Sequence, residues 1–256
     1  MIDFISNLNL DELDIIIILG ATATGKSALA LTLAEKLNTE IISADSMMVY
    51  KNFNIGTAKP SVEELSKVKH HLVDILEPNE KYSVAEFQSS ASKIISDLNN
   101  QQKIPIIAGG TGLYIQALIE GYQFNNADDL NEVGKVNKSQ RSFYNETGKL
   151  IYKANIIGLT MDRQELYKRI NARTKKMFDD GLVDEVKHLI NSGVSRDAQA
   201  MLGIGYKETV EYLDGKITLD EAVDKISQAT RNFAKRQLTW YRRMKYIEWY
   251  DANSLS

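Results

Sequence analysis

The residues that decide the fold are Ile15–Leu19 (IIIIL) and the octapeptide that follows them, Gly20–Ser27 (GATATGKS). Five consecutive apolar residues that end at a glycine are typical of a strand buried on both faces, as in a parallel sheet. The octapeptide fits G-x-x-x-x-G-K-[ST] at every fixed position, and the helical periodicity of Ser27–Asn38 begins within it. A strand, this loop and a helix in that order predict a phosphate-binding loop (P-loop).

Each part of this loop has a physical role. Glycine lets the backbone wrap closely around an anion, and the loop N–H groups with the helix N-terminus supply positive potential. We expect Lys26 to reach the outer phosphate oxygens and Ser27 to ligate a Mg²⁺ ion that bridges them. The predicted phosphate-binding residues are Gly20, Ala21, Thr22, Ala23, Thr24, Gly25, Lys26 and Ser27. The motif alone leaves open which di- or triphosphate, ATP included, is bound.

The rest of the chain predicts an α/β fold. Strand-like runs at 40–44, 103–108 and 155–160 alternate with helical patterns at 83–99 and 113–119, which indicates βαβ units and a parallel sheet flanked by helices. From residue 162 onward the pattern is helical, at 163–180, 182–192, 206–213 and 219–246. We therefore divide the chain into an α/β core (1–124), a polar junction (125–142), and the rest of the core with helices towards the C-terminus (143–256).

Composition excludes several classes of protein. The 256 residues include no cysteine and three histidines, which excludes disulfides and thiolate metal sites and disfavours a histidine metal site. The net charge of −3 means that any contact with nucleic acid must come from local basic patches. The apolar run at 15–19 is too short to cross a membrane, and residues 1–14 lack the basic residues of a secretory signal. We expect a cytoplasmic, monomeric protein without membrane contact.

Asp45 is the candidate acidic residue near the loop. Nucleotide hydrolases with this loop carry an aspartate after a second apolar strand, but the strand-like run at 103–108 ends in Gly109-Gly110-Thr111. Asp45 follows the run at 40–44, and parallel strands place such ends near the loop. Three roles stay open from this pattern: a Mg²⁺ ligand through water, a general base, or the cap of a turn.

Further sequence blocks occur in a recognisable order over most of residues 15–245. They are Ala44-Asp45-Ser46-Met47 with Val49-Tyr50, Ile55–Pro60 (IGTAKP), His70–Asp74 (HHLVD), Ala108–Tyr114 (AGGTGLY), Arg169-Ile170 with Arg173, Gly205–Glu208 (GYKE) and Ala234–Trp240 (AKRQLTW). Together with the P-loop they resemble the tRNA dimethylallyltransferase (tRNA isopentenylpyrophosphate transferase) family. The most specific part is Asp-Ser-Met-x-Val-Tyr followed by Gly-Thr-Ala-Lys-Pro.

The resemblance implies a P-loop NTPase-like sheet and transfer of a dimethylallyl group from its pyrophosphate to N6 of an adenine beside the tRNA anticodon. It implies catalytic roles for Asp45 as general base and for Thr22 and Arg173 at the pyrophosphate. The tRNA-binding residues that it implies are Asp45, Ser46, Met47, Met48, Thr111, Arg236 and Trp240. The last two belong to a stretch, 231–247, that has six basic residues, no acidic ones and interleaved aromatics, which suits contact with RNA.

The chain departs from the family pattern at three places, one of which is Gly203-Ile204, where the family usually has Ala-Ile before Gly-Tyr-Lys-Glu. Met48 stands where the family has a glutamine that helps to read the RNA, and a thioether cannot make the paired hydrogen bonds of an amide. A helical tRNA-binding insertion is reduced or missing near residues 125–135. Three explanations stay open: a naturally shorter enzyme, an engineered deletion, or a sequence from which a mobile segment of the natural chain is missing, which we favour.

Three other functions use the same loop. A small-molecule P-loop kinase would consume ATP, and an adenylate isopentenyltransferase would act on free adenine nucleotides. A non-catalytic nucleotide-binding module would keep its role without Asp45. The blocks quoted above favour the tRNA enzyme over all three.

Overall fold

The computed structural model describes residue 10 and residues 12–124 and 150–254. This part of the chain contains one six-stranded sheet in which every pair of neighbouring strands is parallel. The strands are β1 Ile15–Gly20, β2 Ile41–Ser43, β3 His70–His71, β4 Ile106–Gly109, β5 Ala154–Thr160 and β6 Glu248–Asp251. Their order across the sheet is β3-β2-β4-β1-β5-β6, so the strands before residue 124 and those after residue 150 belong to one sheet.

Eight α-helices flank the sheet in the described residues. They are α1 Lys26–Leu37, α2 Val62–Lys67, α3 Val84–Asn99, α4 Gly112–Glu120, α5 Arg163–Asp179, α6 Leu182–Asn191, α7 Tyr206–Leu213 and α8 Leu219–Tyr241. Helix α8 begins at a capping box, in which Thr218 and Glu221 each accept the backbone N–H of the other. Helices α5 and α8 pack against each other, and they carry residues that face the P-loop.

The central strand β1 explains why its sequence is apolar at every position. Ile15, Ile17 and Leu19 belong to the core on one side of the sheet, which also contains residues of α3, α4 and α6. The alternate residues Ile16 and Ile18 belong to the core on the other side, against α1. Both faces are covered, so the strand is fully buried, as expected for a parallel sheet.

The structure confirms the predicted parallel sheet flanked by helices, and three details correct the prediction. The helix expected over 219–246 ends at Tyr241, because the chain turns there and returns to the sheet as β6. Buried Tyr241, Met244 and Ile247 keep a three-residue spacing through this turn, which imitates helical periodicity. Strand β3 and helix α2 were not predicted, since two and six residues are too few to show a period.

The division of the chain into three parts stays a prediction. The junction at 125–142, and with it the reduced or missing insertion, lies outside the described residues. None of the described helices is both long enough and apolar enough to span a bilayer. The cytoplasmic location and the monomeric state also stay predictions.

Candidate active site

The P-loop connects β1 to α1 in a shape that few sequences allow. A Cβ atom on Gly20 would lie 2.6 Å from the carbonyl oxygen of Leu159, so only glycine permits this approach to β5. Ala23 has a positive φ of 65°, which is uncommon outside glycine. The Thr24 hydroxyl donates to the Ala21 carbonyl at 2.8 Å and fixes the loop from inside. Gly20, Ala21, Ala23, Thr24 and Gly25 therefore shape the loop.

Two cations meet where an anion would lie. The Lys26 ammonium donates to the Ala21 carbonyl at 2.7 Å, and the Arg173 guanidinium donates to the Thr22 hydroxyl at 3.2 Å. Burial, followed by the charge of Arg173, lowers the pKa of Lys26 to about 8, and the carboxylate of Asp45 opposes the shift. Burial also lowers the pKa of Arg173. The cations are held close together at some electrostatic cost, which a phosphate would relieve.

Asp45 lies in the turn that follows β2. Its Oδ1 accepts the Met47 N–H at 2.9 Å, so it does cap this turn. Its charge also acts on Lys26 and Arg173 and contributes, after burial, to the raised pKa of Tyr241. The carboxylate therefore combines a local structural bond with an electrostatic effect on both cations.

The end of β4 brings Thr111 to this turn. A Cβ atom on Gly109 would lie 2.2 Å from the Ala44 carbonyl oxygen, so glycine is needed for the close approach of β4 to the end of β2. The Thr111 N–H donates to that same carbonyl at 3.1 Å, and the Thr111 hydroxyl accepts the Ser46 N–H at 3.1 Å. The turn after β2 and the turn after β4 are thereby joined.

Two adjacent cavities open at this arrangement and share part of their lining. The first, which we call the loop cavity, has a volume of about 100 Å³ and includes Lys26 and Ser27 in its lining. The second, the outer cavity, has a volume of about 310 Å³ and includes Met47, Thr111 and Arg236. Both are lined by Thr22, Asp45, Thr57, Arg173 and Phe233. The three residues predicted to be catalytic therefore lie on the wall that the two cavities share.

The structure separates some residues that the sequence analysis grouped together. Ser46 lines the outer cavity with Met47, but Met48 lines the loop cavity, and its sulfur accepts the Ser43 hydroxyl at 3.7 Å. Trp240 packs over Gly112, and its indole N–H has no hydrogen-bond partner among the described residues. Trp240 thus packs against the start of α4 and is absent from the lining of both cavities.

Arg169 does not join Arg173 at the site. Its guanidinium is exposed and bonds to Glu165 at 3.2 Å and to Asn253 at 3.1 Å. Arg169 and Arg173 belong to one sequence block, but only Arg173 bonds to the P-loop.

Sequence reasoning missed Gln237. This buried residue of α8 accepts the Thr22 N–H at 2.9 Å and donates to the Gly110 carbonyl at 2.8 Å. A signal was present, because Ala234, Gln237 and Tyr241 form one buried helix face. A glutamine on such a face needs buried partners for its amide.

Sequence reasoning also missed the anchor of the IGTAKP segment. The Glu185 carboxylate accepts the backbone N–H groups of Asn54, Ile55 and Gly56 at 2.8 to 3.3 Å, and it accepts the Tyr206 hydroxyl at 2.7 Å. These bonds hold the segment that places Thr57 in both cavities. No feature of the sequence around Glu185 signals this role.

Comparison with known proteins agrees with this architecture. The family model described as IPP transferase matches residues 48–143 and 132–244. The tRNA dimethylallyltransferase of Carboxydothermus hydrogenoformans is 45% identical over 290 residues, which cover 94% of this chain and 93% of that protein. An alignment longer than the 256 residues of this chain requires residues in the relative that have no counterpart here. The two matches to the family model overlap at residues 132–143, at the expected place of the insertion.

Solved structures show the same relationship. The full-length tRNA isopentenylpyrophosphate transferase of Bacillus halodurans is 39% identical with a TM-score of 0.80, and the match covers 93% of this chain and 89% of that one. The tRNA isopentenylpyrophosphate transferase of Staphylococcus epidermidis is 35% identical with a TM-score of 0.82, covering 94% of both chains. The resemblance inferred from the sequence blocks is thus confirmed, and the chain belongs to the family of tRNA dimethylallyltransferases, the IPP transferases.

Proposed function

We propose that this chain transfers the dimethylallyl group of dimethylallyl pyrophosphate to N6 of an adenine next to the anticodon of a tRNA. The observation that carries the proposal is the shared wall of the two cavities, where Thr22, Asp45 and Arg173 lie together. A pyrophosphate that leaves and an amine that attacks need an anion site and a proton acceptor side by side, and this wall supplies both.

The loop cavity suits the pyrophosphate of the donor. Lys26 and Arg173 bring two positive charges to a small space at the N-terminus of α1, where backbone N–H groups favour phosphate. Negative charge grows on the pyrophosphate as it leaves, and preorganised cations stabilise such charge in the transition state.

The outer cavity suits the adenine. Its volume of about 310 Å³ falls at the lower end of the range for small-molecule pockets. Met47 and Ile204 give it apolar walls, while Thr111 and Arg236 add polar groups. N6 attacks C1 of the prenyl group, the C1–O bond breaks with its electron pair leaving on the pyrophosphate, and the N6 proton passes to Asp45.

The residues present fit a Mg²⁺ ion held mainly by the substrate. Among residues 12–124 and 150–254 no cluster of three or more His, Asp or Glu side chains forms a protein-only metal site. Mg²⁺ commonly takes one or two protein ligands and completes its shell with phosphate oxygens and water. Ser27 and Asp45 both line the loop cavity. The Ser27 hydroxyl would hold the ion directly. When bound, the ion neutralises charge on the pyrophosphate.

Exposed basic side chains at the outer cavity and at the end of α8 support tRNA as the acceptor. Arg236 is exposed and lines the outer cavity, and the exposed Arg242 and Arg243 follow α8 directly. Guanidinium groups placed in this way contact RNA phosphates and orient the strand without reading its sequence. The anticodon arm is our proposal for the bound region.

The test is a transfer assay with the full chain, Mg²⁺, labelled dimethylallyl pyrophosphate and unmodified tRNA. We expect one dimethylallyl group per tRNA, located on the adenine beside the anticodon by nuclease digestion and mass spectrometry. Parallel reactions contain AMP in place of tRNA, or ATP in place of the prenyl donor. Label in AMP alone would favour the adenylate enzyme, phosphate transfer from ATP would favour a kinase, and no transfer at all would favour a binding module.

A further inference from the structure

Gln237 connects two loops that the chain places far apart. Its side chain is 5% exposed. Its Oε1 accepts the N–H of Thr22, in the P-loop, and its Nε2 donates to the carbonyl of Gly110, in the turn after β4. Both bonds are shorter than 3 Å, and both partners are backbone groups. One side-chain amide therefore spans the gap between the two loops.

The surroundings of the Gln237 amide match it in both size and hydrogen bonding. A Cβ atom on Gly110 would lie 2.5 Å from Nε2 of Gln237, so a larger residue would displace the amide. One partner is a donor and the other an acceptor, which only a group with both functions satisfies at once. Glutamine meets this requirement, whereas methionine has no donor and only a weak sulfur acceptor.

Each hydrogen-bond partner of Gln237 is linked in turn to residues of the candidate active site. On one side, the Thr22 hydroxyl accepts from Arg173 at 3.2 Å. On the other side, Gly110 precedes Thr111, whose hydroxyl accepts the Ser46 N–H at 3.1 Å, next to Asp45. The amide thus lies between the P-loop and the turn after β4, and that turn is bonded to the turn after β2, which carries Asp45.

From this geometry we infer that Gln237 is a positioning residue that sets the distance between the donor pyrophosphate and the groups that hold the adenine. The inference rests on the proposed transfer reaction. Gln237 also lines the loop cavity, but its Oε1 and Nε2 are both bonded to backbone groups, of Thr22 and Gly110, so it acts through these two loops. Small misplacements of reacting groups lower the rate of the chemical step far more than they weaken binding.

The test compares Gln237→Met with Gln228→Met, an exposed glutamine of the same helix. With tRNA and donor both saturating, we expect Gln237→Met to slow single-turnover transfer by about tenfold or more, with the dissociation constant of the donor changed less than threefold. Gln228→Met should match the wild type in both. A rate within twofold of the wild type, or a loss of donor affinity as large as the loss of rate, would overturn the inference.

The Gln237→Glu variant adds a second measurement, the pH dependence of its single-turnover rate. A purely structural role of Gln237 would not change this dependence. A protonated carboxyl group can accept from Thr22 and donate to Gly110, whereas a carboxylate can only accept. The single-turnover rate of Gln237→Glu relative to wild type should therefore rise as the pH is lowered from 9 to 6, even if Gln237→Met does not fold. A ratio that stays low and constant over this range contradicts the inference. Failure of wild type and Gln228→Met to transfer any prenyl group would instead refute the proposed function.

Discussion

Replacing Asp45 by asparagine tests the chemical step with little change in shape. The Oδ1 atom that accepts the Met47 N–H is retained in asparagine, so the turn after β2 should keep its conformation. What is lost is the negative charge and the ability to take a proton. Asp45→Asn therefore separates the role of the carboxylate as a base from its role as a cap.

The expected loss follows from the chemistry of the acceptor. An exocyclic adenine amine is a weak nucleophile and must lose a proton as the C–N bond forms. General-base assistance is worth about 10²–10⁴-fold in rate, or about 3–5 kcal/mol of activation free energy. Donor affinity should not fall, because removing the charge of Asp45 leaves the cations Lys26 and Arg173 less compensated. We expect the donor to bind at least as tightly as it does to wild type.

Rapid-mixing single-turnover transfer, with both substrates saturating, measures the chemical step, and equilibrium dialysis with labelled donor measures the affinity. Asp45→Ala is the matched control. It should share the defect in rate and should also lose about 1 kcal/mol of unfolding free energy, because the Met47 N–H loses its acceptor. A near-normal single-turnover rate for Asp45→Asn would refute the reasoning and leave Asp45 as a cap.

Three further predictions concern the same region. Lys26→Ala should weaken donor binding by about 10- to 100-fold in equilibrium dialysis, as for a lost hydrogen bond to a charged group; unchanged affinity would contradict the P-loop assignment. The pKa of Lys26 is lowered to about 8, and bound pyrophosphate should restore its proton, so donor affinity should fall as pH rises above 8, by up to about tenfold per pH unit. Lys26→Arg, which stays protonated, should remove this dependence. Tyr206→Phe removes the hydroxyl that Glu185 accepts at 2.7 Å and should cost about 1–3 kcal/mol in chemical denaturation, while a change below 0.5 kcal/mol would show that the Glu185 anchor does not depend on it.

The parts of the fold that could be predicted are those encoded by neighbouring residues. The P-loop motif is contiguous, so its strand and helix were located to within one residue. The predicted end of α8 was wrong because buried Met244 and Ile247 continue the helical spacing beyond Tyr241. Periodicity reports which residues are buried, and it cannot tell a helix from a turn that buries residues at the same interval.

The site was partly predictable for a similar reason. Thr22, Asp45 and Arg173 could be named because they belong to recognisable sequence blocks, and the structure brings them to one wall. The partners of Gln237 lie 127 and 215 positions away, and the backbone partners of Glu185 lie about 130 positions away. Bonds of this kind depend on how the sheet and helices pack together. The buried face of α8 indicates that Gln237 needs partners, but no local pattern identifies which residues they are.

The bond between Thr22 and Gln237, which joins residues 215 positions apart, has a consequence for protein synthesis. A nascent chain leaves the ribosome with its N-terminal part first, and folding begins there. When the P-loop emerges, α8 has not been translated, and β1 also lacks its neighbour β5, which comes from Ala154–Thr160. A ribosome-bound chain that stops short of α8 thus presents an anion-binding loop without the wall opposite it. Prenyl transfer in the cell would accordingly begin only after translation has passed residue 237, and truncated translation products would be inactive even where their N-terminal part has folded.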